Sequence, residues 1–198
     1  MPGETRWENL NVAFMNYRLY IDRKTDKNAL TLVDLLYIRN FKAGNSSITD
    51  PEQQVSARLI GYSEILAEIR GEFGESILGR MSDDQLQGLI EKTVEFINLP
   101  LHAQTEIRGF GPSYASAMLA AHFPDLIPII DRNVLLGIGI IGELNNDQVD
   151  QIEQHYGPLL TELHQRMKAA VPHTKLRDLD RQLFIDGSKM VKALGGTE

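Results

Sequence analysis

The stretch Ile107-Arg108-Gly109-Phe110-Gly111-Pro112-Ser113-Tyr114-Ala115-Ser116-Ala117-Met118-Leu119, followed by Phe123-Pro124 and then Ile129-Ile130-Asp131-Arg132-Asn133-Val134, reads as helix, glycine turn, helix, extended loop and helix. Gly109 and Gly111 permit positive φ and a close approach of the main chain to a ligand, and Pro112 suits the first position of the helix that follows. The first-turn amides of that helix have no partner within it, and its dipole favours an anion. The turn can therefore grip one phosphate without a basic side chain. Alone, a Gly-x-Gly before a helix reads as an ordinary turn, and Phe110 between the glycines as a core plug. Asp131 changes the reading. It opens the next apolar helix, where its carboxylate can cap the amide of Asn133 or Val134.

Outward from this stretch, helix signals dominate. Asp50-Pro51-Glu52-Gln53 offers an N-cap, a first-turn proline and a capping-box glutamine ahead of Val55, Leu59, Leu66 and Ile69, with Gly71 as the expected stop. Ser82-Asp83-Asp84-Gln85 repeats that logic ahead of Leu86, Leu89, Ile90, Val94 and Ile97. Apolar spacing predicts further helices at about 6–21, 31–42, 100–107, 112–122, 132–140, 147–156, 158–170 and 175–192. Leu126 to Ile130 is strand-like in composition, but Pro124 and Pro128 make it an extended connection. The class is all-α: one helical domain over 1–198, with the chemistry concentrated in 100–136.

The chain has 198 residues, 42% of them apolar and 24% charged, which excludes disordered and fibrous classes. It contains no cysteine, and so no thiolate zinc site, cysteine-ligated iron–sulfur cluster or cysteine nucleophile. No signal sequence or membrane span is apparent, and a cytoplasmic location is expected. The net charge of −7 argues against a broad polyanion-binding face. The acid is concentrated in the middle of the chain. His102, His122, His155, His164 and His173 show no metal-ligand spacing with carboxylates. No nucleophile elbow, Walker loop or Rossmann fingerprint is present.

Taken together, Ile107 to Gly111, Ala115 and Ala117, the Pro124 to Pro128 loop and Asp131 resemble the helix-hairpin-helix DNA glycosylase superfamily. The string Pro128-Ile129-Ile130-Asp131-x-Asn133-Val134 is most similar to its adenine-mismatch branch. The resemblance implies two helical lobes with a cleft between them, and a hairpin that holds double-stranded DNA through Arg108, Gly109, Phe110, Gly111 and Ser113. It also implies Asp131 as the catalytic carboxylate. In some relatives a sodium or potassium ion sits on hairpin carbonyls, and the matching positions are Thr105, Ile107 and Phe110. The four-cysteine cluster of several branches cannot exist here. Lyase-competent members carry a lysine where this chain has Ser113, and serine cannot form a Schiff base, so the resemblance implies a monofunctional enzyme. Many relatives also have a basic residue where this chain has Leu136.

Cleaving an N-glycosidic bond passes through an oxocarbenium-like sugar, so a fixed carboxylate is wanted to stabilise that charge and to activate water. A position at a helix N-terminus suits Asp131 to that role rather than to general acid work. Trp7, Phe14, Tyr17, Tyr20, Tyr37, Phe41, Tyr62 and Tyr114 could stack on a base, but aromatics at helical spacing read first as core, and none is assigned to a pocket. Leu176 to Phe184 reads as a solvated helix closing the bundle, with Arg177 and Arg181 as accessory phosphate contacts. The alternative to an enzyme is a catalytically silent helix-hairpin-helix protein that binds DNA or a partner on the same scaffold.

Overall fold

The computed structural model describes residues 2–42, 47–145, 148–170 and 174–193. Among them are eight α-helices: α1 (Pro2–Arg23), α2 (Leu32–Phe41), α3 (Glu52–Phe73), α4 (Asp83–Asn98), α5 (Pro112–His122), α6 (Arg132–Ile138), α7 (Tyr156–Ala169) and α8 (Leu176–Ala193). No strand forms among the described residues, and the only bridges are isolated, Ile107 with Phe110 and Asn145 with Gln148. The chain is all-α, and no helix among the described residues is long and apolar enough to cross a membrane.

Local signals place most boundaries. Ser82 caps α4 by accepting from the Gln85 amide at 3.2 Å, and the Gln85 side chain returns to the Ser82 amide at 2.9 Å. Gly139, at φ +81°, ends α6 in the left-handed conformation that favours glycine. Four expectations fail. Asp50 does not cap α3, whose start is flanked by Pro51 without a side-chain cap, and α3 runs through Gly71 to Phe73. The helix expected at 100–107 is a single 3₁₀ turn, Leu99–Leu101, followed by turns. There the Thr105 hydroxyl takes the Leu99 carbonyl at 2.7 Å and diverts the chain. The helix expected at 147–156 shrinks to a 3₁₀ turn at Ile152–His155, preceded by Gln151 at φ +48°; its first residue lies outside the described residues, as does His173.

The core runs through all eight helices and includes Phe14, Tyr17, Leu35, Ile38, Leu59, Tyr62, Leu66 and Phe96. Two features hold it in register. First, α6 and α8 meet backbone to backbone. A Cβ on Gly187 would lie 1.8 Å from the Asn133 carbonyl oxygen, and one on Gly137 would lie 2.1 Å from that of Leu183. Second, a buried polar chain ties α1, α2, α3 and α5. Asp34 accepts from Tyr17 Oη, Lys24 Nζ and Thr31 N at 3.0, 3.0 and 2.8 Å. Tyr17 Oη is 3.4 Å from His122 Nε2, and Arg70 Nη2 donates to His122 Nδ1 at 3.0 Å. A guanidinium only donates, so Nδ1 accepts and Nε2 carries the proton. Burial, and then the Arg70 charge, hold the His122 imidazole down at about 3.

These two features set two expectations. Gly187→Ala should lose about 3 kcal/mol or more in urea denaturation, because backbone cannot retreat from a Cβ. Gly71→Ala, where a Cβ meets nothing within 4 Å, should instead gain about 0.5–1 kcal/mol. For His122, unfolding releases an imidazole that protonates near its ordinary 6.5 while the folded one stays neutral down to about 3. Stability at this site is therefore whole above pH 6.5 and falls with pH below it, by up to about 1.4 kcal/mol per unit. The difference between wild type and His122→Gln in denaturation midpoints from pH 7 to pH 4 should show that slope.

Candidate active site

The glycine turn lies between the 3₁₀ turn that follows α4 and the start of α5. It is closed by the Phe110 amide donating to the Ile107 carbonyl at 2.9 Å. Gly109 adopts φ +81°. Gly111 does not share that conformation: it is extended, at φ −105°, and flanks α5 as its N-cap residue. A Cβ on Gly111 would meet nothing within 4 Å, so the main chain there is open on that side. Its carbonyl accepts from the Tyr114 and Ala115 amides, each at 3.0 Å. Because Pro112 has no N–H, the Ser113 amide is the first-turn donor that α5 itself does not use.

The other hairpin positions divide. The Phe110 ring is buried and packs edge-on to Tyr62 at 5.8 Å, so only its main chain is available to a ligand. The Arg108 side chain is 77% exposed, but its amide donates to Asp50 Oδ2 at 3.1 Å, and the same carboxylate holds Arg58 Nη1 at 2.5 Å. The Thr105 carbonyl accepts from the Tyr62 hydroxyl at 3.0 Å. An alkali-metal ion at Thr105, Ile107 and Phe110 would thus share two carbonyls that each already serve an internal donor.

The Ser113 side chain is spent on an internal bond. Its hydroxyl donates to the Ile130 carbonyl at 2.7 Å, while Ser116 Oγ, fully buried, accepts from the Ile130 amide at 3.1 Å and donates to the Ser113 carbonyl at 2.9 Å. Tyr156 donates to the Pro128 carbonyl at 3.1 Å. The extended loop before Asp131 is thus bonded to side chains of α5 and α7 rather than to a neighbouring strand. Asp131 flanks α6 as its N-cap, its Oδ1 accepting from the Val134 amide at 3.0 Å. Its Oδ2 lies 4.0 Å from Lys42 Nζ, and the two side chains are 21% and 18% exposed.

Within electrostatic range of Asp131 lies a polar cluster that sequence reasoning placed in solvent. The Arg177 guanidinium lies over the rings of Trp7 and Phe14, 4.2 and 4.3 Å from their centroids, and bonds Asp180 Oδ2 at 3.5 Å. It is therefore not a surface phosphate contact; Arg181, one turn on, is exposed. Burial pushes the Asp180 carboxyl up to about 7, the nearby Asp131 charge adds to the rise, and Arg177 and the Ile129 amide oppose it. The signal for this cluster was present in sequence: Asp180 shares a helical face with Leu176, Leu183 and Phe184. Lys42 left no comparable signal. Among the aromatics, Trp7, Phe14, Tyr17, Phe41 and Tyr62 are buried. No family model, curated protein or solved structure matches the chain.

If the two serines hold the loop, Ser116→Ala should cost about 1–3 kcal/mol by leaving the buried Ile130 amide unpaired, and Ser113→Ala somewhat less. Equilibrium urea denaturation of both variants checks the order.

Proposed function

We propose that this chain is a DNA base-excision glycosylase of the helix-hairpin-helix kind, acting on a damaged or mispaired base turned out of double-stranded DNA. The observation that carries the reading is the Asp131 carboxylate. One oxygen is fixed by the amide of its own helix, the other faces Lys42 Nζ at 4.0 Å, and the loop that presents it is held by buried hydroxyls. On this reading the helices form two lobes with Asp131 in the cleft between them, and the Gly111 and Ser113 main chain grips a phosphate beside it.

Extruding the nucleotide costs a few kcal/mol, least for a mispaired or damaged base. As the N-glycosidic bond breaks, its electron pair leaves with the base, which takes a proton from another donor. Positive charge develops at C1′, and the fixed carboxylate opposes it without reorganising. Water then adds at C1′ and gives its proton to Asp131. The second reading, a silent DNA-binding or interaction protein, is favoured by Asp50, whose carboxylate already takes the Arg108 amide.

Release of free base from duplexes carrying oxidised, alkylated, deaminated or mismatched bases is the test. Asp131→Asn should lower it by about 100-fold or more. Asparagine caps helices as well as aspartate, so thermal stability should stay within about 0.5 kcal/mol of wild type. Duplex binding with no base release from any substrate would favour the silent protein.

A further inference from the structure

We infer that the outer face of α1 is the surface through which two copies of this chain pair, helix against helix and antiparallel, about a two-fold axis at Met15. A surface helix of a globular protein is apolar where it meets the core and polar on the opposite side. The first helix is apolar on both. Trp7, Phe14, Tyr17 and Ile21 are buried in the core, while Val12, Met15 and Leu19, on the other side of the helix, are 61, 42 and 49% exposed. An exposed apolar side chain standing alone needs no explanation. Three in succession along one helix face make a patch of the kind that marks an interaction site.

Their spacing and the charges around them indicate what covers the patch. Glu8, Val12, Met15, Leu19 and Asp22 follow one another in steps of four, three, four and three, which keeps one seam of a helix turned toward another helix. The seam is bounded by exposed charges, Glu8 before Val12, and Asp22 with Arg23 after Leu19. Asp22 is met by Lys27 of its own chain at 3.7 Å. Neither Glu8 nor Arg23 has an ion-pair partner among the described residues. The face is therefore acidic at one end and offers an uncommitted cation at the other.

Such a face complements itself when reversed. In a two-fold dimer the same patch serves both copies, and each contact occurs twice. With the axis at Met15, the partner's Leu19 comes over Val12 and the two methionines meet, where a flexible thioether fills an irregular gap. Glu8 then reaches the end of the partner helix that carries Arg23. Parallel pairing would set Glu8 against Glu8 and Arg23 against Arg23, which like charges oppose. Three apolar side chains of each copy leave water together. A contact made by one pair of helices lies at the small end of specific interfaces, so the dimer depends on concentration. Nothing in the pairing depends on base excision.

Sedimentation equilibrium of the full chain from about 5 to 500 μM tests the pairing. The apparent mass should rise with concentration from 22.3 kDa toward twice that value. Met15→Glu puts two carboxylates on the axis and should weaken association about tenfold or more. The Met15 side chain is partly in solvent in the single chain, so helical circular dichroism and the urea midpoint should stay at their wild-type values. Glu8→Arg and Arg23→Glu, made singly, should each weaken association about two- to fivefold. The two together should restore it, because each new charge then faces its opposite on the partner. Restoration is a result that a merely sticky surface would not give. A mass of 22.3 kDa at every concentration, dimers that Met15→Glu leaves intact, or a double charge variant no stronger than the singles overturns the inference.

Discussion

The structure depends on how the peptide of Ile130 is held. A stretch of extended chain in a helical protein has no ladder to satisfy its polar groups, and leaving them unpaired in the interior costs more than pairing them gains. Ser113 and Ser116, on adjacent positions of the α5 surface, take the carbonyl and the amide of that one residue, while Tyr156 takes the carbonyl of Pro128. The helix that follows the glycine turn is thus bolted to the loop that ends at Asp131. The turn and the carboxylate are thereby tied to each other, although they are separated by a helix and a loop in the chain.

The other side of Asp131 is set by the contact of α6 with α8. Glycines at 137 and 187 let the two backbones touch, and on the same helix α8 Arg177 and Asp180 lie within electrostatic range of Asp131. A guanidinium buried in this way is stabilised by the faces of Trp7 and Phe14 as well as by its carboxylate. Asp180 Oδ1, and Nε and Nη2 of Arg177, have no hydrogen-bond partner among the described residues, so the aromatic rings carry much of the burden of burying the charge.

Helix periodicity and capping residues made most of the fold legible. The Ser82–Gln85 box, the Pro112 start and the Asp131 cap to Val134 all follow from local chemistry, and each recurs in the structure. Where reading failed, a non-local partner had won. Thr105 bonds back to Leu99 and ends a helix that its neighbours would have continued. Arg177 looks like a solvent residue until Trp7, from the other end of the chain, is placed over it. The approach of Lys42 to Asp131 is set by the packing of α2, to which no spacing in the sequence points. The carboxylate was legible because its neighbours are local; its surroundings were not.

Asp50 gives the sharpest instance of such a conflict. One carboxylate, already paired with Arg58 of α3, had two backbone claimants, the bare first turn of α3 beside it and the Arg108 amide 58 residues away. The distant claimant holds it. In the language of energy landscapes this is a small, deliberate frustration: a local preference worth about 1 kcal/mol is set aside for a long-range tether. The consequence concerns the order of assembly. The first turn of α3 draws no support from its own cap, and the loop closed by the tether carries an entropic cost that is recovered only when the glycine turn is already in place.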